Sequence, residues 1–214
     1  MTDQLSIYNG ALLLCGERFL GSLTENREPR RLLDRVWSSN GVKTCLEQGQ
    51  WNFATRTVQI DYDPSIEPSF GYNRAFGKPG DWVITVGQCS DEYFRQPLTR
   101  CVDEANYWYS DLDTMYVRYV SNDLNYGMNL NKWPDSFREY VEHFFASKII
   151  LKLSNSQEEL AAIEKLMEKK LKTAKNKAAM AEPTSFPATG SWSKSRNRFP
   201  SRRDGGNTSG NLIG

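Results

Sequence analysis

The sequence predicts an α+β protein: mainly an antiparallel bundle of four α-helices, with a small antiparallel β insertion and an extended C-terminal arm. Three observations carry this. Apolar residues recur at helical spacing in two blocks, residues 1–53 and 133–182. Between them, residues 54–132 alternate in polarity and are punctuated by clusters of Asp, Asn, Ser and Gly. After Glu182 the composition changes, and residues 183–214 are rich in Gly, Ser and Pro.

The first helix is expected over residues 3–15. Leu5, Tyr8, Leu12 and Cys15 form a stripe, with Ile7, Ala11 and Leu14 beside it, and Gly16 ends it. A second helix is expected over residues 28–48. Pro29 suits its first turn, and Leu32, Leu33, Val36, Trp37, Val42, Cys45 and Leu46 supply its apolar face. Five strands are expected next, at 55–60, 82–86, 98–102, 107–109 and 115–120. Val58 and Ile60 share one face of the first. Spacings of about 8–15 residues between strands suggest a small antiparallel unit.

The third helix opens at Trp133-Pro134, with Ser136 and Glu139 as a capping box, and runs to Leu153. Phe137, Val141, Phe144, Phe145, Ile149 and Leu151 cover more than half its circumference. Such a helix is buried in the bundle or meets a neighbouring subunit. The fourth helix starts at a second capping box, Ser156 and Glu159, and reaches Ala181. Leu160, Ile163, Met167, Leu171, Ala174 and Ala178 make one narrow stripe, and Glu and Lys fill the remainder.

The arm carries five basic residues, Lys194, Arg196, Arg198, Arg202 and Arg203, against one acid, Asp204. Alone it cannot bury enough apolar surface to offset its ordering entropy. Yet Phe186, Trp192 and Phe199 are spaced along it. Aromatic anchors with Arg between them mark a segment that orders against a partner, and the competing reading is a ragged terminus.

Several function classes find no support. The net charge of +1 gives no overall pull toward nucleic acid or an anionic membrane. No apolar run approaches the roughly 20 residues that span a bilayer, and the N-terminus has neither a basic leader nor a cleavage site. The four cysteines (15, 45, 89, 101) lack CxxC spacing and the chain has one histidine, so no metal site or cofactor is expected. His143 would have to be the base of any Ser–His–Asp arrangement, but it sits in an aromatic-rich helix where packing explains it. No GxSxG, HExxH or Walker A pattern occurs. Near pairs of carboxylates (Asp61/Asp63, Asp103/Glu104, Asp111/Asp113) keep a glycan hydrolase as an alternative, although Asp at strand ends serves the turn itself. The lysines of the fourth helix (165, 169, 170, 172, 175, 177) keep a nucleic-acid-binding assembly factor as another. Their interleaved Glu residues favour a solvated face.

Three stretches, in order, resemble the head-to-tail adaptors of short-tailed bacteriophages, also called tail tubular protein A or head-completion proteins. The first is IYNGALLLCGERFLGSLTENREPRRLLDRVW followed by CLEQGQWNFATR, with Trp51, Phe53 and Ala54 at its exit. The second is FGKPGDWVITVGQC, with Pro79, Gly80, Asp81 and Trp82 entering a strand. The third is MYVRYV followed by WPDSFREYVEHFFASKIILKL. The resemblance, in their order and in the blocks between them, spans about residues 5–182.

The resemblance implies a non-enzymatic virion protein, made in the host cytoplasm. It implies a ring of twelve copies between the portal and the tail nozzle, extending the channel through which DNA passes without sequence-specific binding. The helices would form the ring wall. The β region near Pro79–Trp82 and Tyr107–Tyr119 would face the nozzle. The arm would clamp the portal protein, through Phe186, Trp192, Arg196, Arg198, Phe199, Arg202 and Arg203. The arm sequence SWSKSRNRFPSRRDGG matches no pattern of that family. A closed ring needs two different complementary faces per subunit, and the wide face of the third helix and the narrow stripe of the fourth offer candidates. A strongly basic lumen would hold DNA through phosphate contacts, so the basic arm is expected to point away from it.

Overall fold

A computed structural model describes residues 3–68, 71–95 and 97–181. These fall within one unit, Met1–Glu182. Among the described residues there are five α-helices: α1 (Gln4–Leu14), α2 (Glu28–Ser38), α3 (Gly41–Leu46), α4 (Asp135–Ser154) and α5 (Gln157–Met180). Six strands lie between α3 and α4: β1 (Thr55–Asp61), β2 (Arg74–Gly77), β3 (Trp82–Cys89), β4 (Val102–Asp103), β5 (Tyr107–Ser110) and β6 (Thr114–Ser121).

The fold is not the four-helix bundle with a small β insertion that the sequence suggests. It is α+β, with two three-stranded antiparallel sheets, and strand makes up 19% against 44% helix. That share is too large for an appendage, because the sheets build a core of their own. The helix count differs because the expected second helix breaks. Asn40 takes a left-handed conformation, φ 63°, which ends α2. A Cβ on Gly41 would lie 2.7 Å from the Val36 carbonyl oxygen, so only glycine lets α3 start this close to α2.

α4 is the hub of the helical core, and α1, α2, α3 and α5 all pack on it. Phe137, Tyr140, Val141, Phe144, Phe145, Ile149 and Ile150 are buried along it. Most of its wide apolar face is thus consumed within the chain, with Leu151 left exposed. α1 approaches α4 closely: a Cβ on Gly10 would lie 2.3 Å from the Glu142 carboxyl carbon. α5 lays its narrow stripe on α4, with Ile163 and Ala174 buried and Leu160, Met167, Leu171 and Ala178 partly so.

Neither expected capping box forms in full, and at α5 the Ser156 amide donates to Ser154 Oγ at 3.3 Å rather than to the Glu159 side chain. α4 starts at Pro134 with no side-chain cap, and Glu139 pairs instead with Lys170 at 2.7 Å. α5 is capped by Ser156, whose Oγ accepts from the Glu159 amide at 3.3 Å. α1 has a capping box between Asp3 and Ser6 that the sequence reading passed over. Asn155, at φ 54°, makes the left-handed turn between α4 and α5.

The sheets run β1-β6-β3 and β2-β5-β4. β1 pairs with β6 in the register Val58↔Val117 and Ile60↔Met115, so both pairs point to one face. That face meets Phe76 of β2 and Trp108 of β5, forming a second core with Tyr119. β6 serves both cores: Tyr119 belongs to this one and Val120 to the helical one. In β3, register shifts between Trp82 and Ile84 and between Thr85 and Gly87 break strict alternation. Val83, Ile84 and Val86 can therefore all reach the helical core, while Trp82 joins the β core. The expected strand at 98–102 is reduced to β4, and β2 is a strand beyond the five expected.

Candidate functional surfaces

The three stretches that carry the family resemblance sit where the parts of this fold are tied together. The first and third meet in one aromatic cluster. Phe137 of α4 lies 4.7 Å from Trp51, 4.9 Å from Phe53 and 5.0 Å from Trp133, ring centroid to centroid. Edge and tilted geometries suit the ring quadrupoles. Both buried indoles are satisfied: Trp51 Nε1 donates to the Leu46 carbonyl at 3.0 Å, and Trp133 Nε1 to the Gly127 carbonyl at 2.8 Å. Trp51-x-Phe53 leaves α3 toward β1, and Trp133-Pro134 leaves β6 toward α4. The cluster therefore closes the β region at both of its chain ends.

The second stretch supplies a polar knot. Asp81 accepts from Arg56 Nη1 at 2.9 Å, from the Tyr119 hydroxyl at 3.0 Å and from Ser121 Oγ at 2.5 Å. Its own carbonyl accepts from the Asn122 amide at 2.9 Å. One carboxylate thus binds β1, the β3 entry and β6. Burial pushes its carboxyl up, but hydrogen bonds from Ser121, Arg56 and Tyr119 outweigh that and hold it below the usual carboxylate range. Burial, with the Asp81 charge beside it, pushes the Tyr119 phenol up.

Next to it is a boxed lysine. Lys78 is only 6% exposed at its side chain and pairs with Asp103. Its ammonium lies 3.9 Å from the Trp82 ring centroid and 5.5 Å from that of Trp108. Asp103 also accepts from Trp108 Nε1 at 3.1 Å and from Thr85 Oγ1 at 3.2 Å. The Lys-Pro-Gly-Asp-Trp run is thus a cornerstone, with a cation at one end and an anion at the other.

The residues singled out for chemistry have structural partners. Asp61 accepts from Thr114 Oγ1 at 2.7 Å, and Asp63 from Ser65 Oγ at 2.6 Å. Asp111 accepts from Asn73 Nδ2 at 2.9 Å, and Asp113 pairs with Arg74 at 2.6 Å. These are turn and strand-end contacts. His143 is buried, with Nδ1 2.7 Å from the Glu139 carbonyl of its own helix. Of the α5 lysines, Lys170 is tied to Glu139, and Lys165, Lys169, Lys172, Lys175 and Lys177 are exposed beside exposed Glu164 and Glu168.

All four cysteines are free. Burial pushes the Cys15 and Cys101 thiols up to about 11, away from reactive thiolate character. Among the described residues, no group of three His, Cys, Asp or Glu side chains is placed to hold a metal. No described helix is long and apolar enough to cross a membrane.

The arm residues Phe186, Trp192, Arg196, Arg198, Phe199, Arg202 and Arg203 lie outside the described residues. Sequence reasoning missed two groups inside them. Glu142, under Gly10 and 3.5 Å from Arg138 Nε, is pushed up to about 7 by burial. Arg35, Lys148 and Lys152 gather around one groove. The i, i+4 spacing of Phe144, Lys148 and Lys152 was the available signal for the second. No protein-family model matches this chain, and no curated protein matches it.

Proposed function

We propose that this chain is a non-enzymatic structural virion protein, a head-to-tail adaptor that forms a ring between portal and tail nozzle. In this reading twelve copies extend the DNA channel for genome retention and ejection. The portal protein is held by the arm and the nozzle by the β region. DNA passes without sequence-specific contacts.

The observation that supports it most is the place of the three resembling stretches. Trp51, Phe53, Trp133 and Phe137 join in one cluster, and Asp81 joins three strands. A part that must stack against many copies needs a fixed framework, and these residues fix one. The architecture itself departs from the bundle that the resemblance implies, so the reading rests on these stretches and not on the fold class.

The test uses the full chain and a version lacking 183–214, each mixed with the portal protein from the same phage genome and sedimented. The full chain is expected to co-sediment with portal. The shortened chain is expected to stay folded by circular dichroism and to remain in the supernatant. Full decoration of portal by the shortened chain would overturn the clamp, and no binding by the full chain would overturn the adaptor reading.

A further inference from the structure

α2, α3 and α4 leave a groove open beside the helical core, with a volume of about 540 Å³. Its floor is apolar. Leu32 and Val36, one turn apart on α2, face Phe144 and Ile149 of α4. Its rim is basic, with Arg35 from α2 and Lys148 and Lys152 from α4. All three are exposed. Among the described residues no carboxylate lines the groove, and none of the three cations is in an ion pair. The ammonium of Lys148 lies 5.1 Å from the Phe144 ring centroid, at the boundary between floor and rim.

We propose that this groove binds an acidic amphipathic helix of a partner protein. Three features select that ligand. Apolar side chains at i and i+4 of an incoming helix would bury the floor, the usual mode of helix-in-groove recognition. Carboxylates flanking that stripe would meet three cations that have no ion-pair partner among the described residues. A nucleic-acid duplex would leave the apolar floor uncovered, because its outer surface is phosphate and sugar. A second copy of this chain is the less complementary occupant: its 183–214 segment is basic, and α5 carries Lys169, Lys170, Lys172, Lys175 and Lys177 along its second half, which leaves only its first turns acidic. The inference does not depend on the adaptor reading, since it rests on the groove alone.

The probe is a fluorescein-labelled amphipathic peptide with leucine at i, i+4 and i+7 and glutamate between, added to the full chain and followed by anisotropy. Saturable binding is expected, weakening as salt rises. The double change Lys148→Glu and Lys152→Glu is expected to weaken it by about tenfold or more. These side chains are exposed, so folding should be unaffected, and an unshifted thermal melt checks this. A separate Val36→Asp change tests the floor and is expected to weaken binding at every salt concentration. The proposal is overturned by equal affinity of the charge-reversed protein or by equal affinity for a peptide with lysine in place of glutamate. It is also overturned by tighter binding of a single-stranded oligonucleotide that the same double change abolishes. A double change that leaves peptide binding intact but dissociates oligomers would assign the groove to self-association instead.

Discussion

Around α4, aromatic and aliphatic side chains meet with few charges between them. The two sheets, by contrast, close over carboxylates, Asp81 on one side of Trp82 and Asp103 on the other. The helical part is therefore held mainly by packing, which is non-directional. The β part is held by directed hydrogen bonds to ionised acceptors, which fix strand position but depend on charge state. In the proposed adaptor reading both would serve: a stable block, and a β region whose strands are pinned in one register.

The largest effect that separates the two regions should come from Phe137→Ala. Phe137 is 1% exposed and touches four aromatic neighbours. Its loss is expected to cost about 3–5 kcal/mol, read as a fall in the urea midpoint. Asp81→Ala comes next. It leaves Arg56, Tyr119 and Ser121 without their acceptor, and Tyr119 and Ser121 are fully buried. About 2–3 kcal/mol is expected. Amide exchange should rise in β1, β3 and β6 while α4 stays protected. Equal loss of protection in α4 would mean the two cores unfold as one.

The pH responses should also differ. The Asp81 carboxyl is depressed in the fold, so its stabilisation is present above the unfolded carboxylate value and is lost as pH falls through the folded one. Acid should loosen the β region first. Glu142 has the opposite sign. Its folded value is raised from 4.5 to about 7, so the fold loses stability as pH rises through that window. Arg138, Glu139, Asp135 and Lys170 act on it from α4 and α5, and from α1 it faces the uncharged backbone at Gly10. Glu142→Gln should therefore stabilise the protein at pH 8 by about 1 kcal/mol after solvent screening, and have little effect at pH 4. Gly10→Ala is expected to cost a similar amount, about 1–2 kcal/mol, because the Glu142 carboxylate must move. A thermal melt of each variant at the two pH values checks both.

Much of the helical part was legible in the sequence. The stripe of α5, the wide face of α4 and the Ser156 cap all follow from spacing that the structure respects. The break at Asn40 was not legible, because Val42, Cys45 and Leu46 continue the apolar pattern of α2 and hide the turn. In the β region, Val58 and Ile60 announced their shared face. The division into two sheets did not show, since nothing in the alternation of Phe76 or Trp108 says which strand each will oppose. The framework role of Asp81 was half visible: the Pro79–Trp82 run stood out, but its partners lie 25 to 40 residues away in the chain. The groove of Arg35, Lys148 and Lys152 joins two distant helices: the i, i+4 spacing of Phe144, Lys148 and Lys152 shows its α4 side, but nothing local brings Arg35 to it.

The adaptor account is tested most directly by cryo-electron microscopy of the full chain mixed with portal protein from the same genome. Class averages are expected to show a twelvefold ring of this chain capping the portal, coaxial with its channel. Undecorated portal beside free chain, at concentrations well above those in an infected cell, would contradict it.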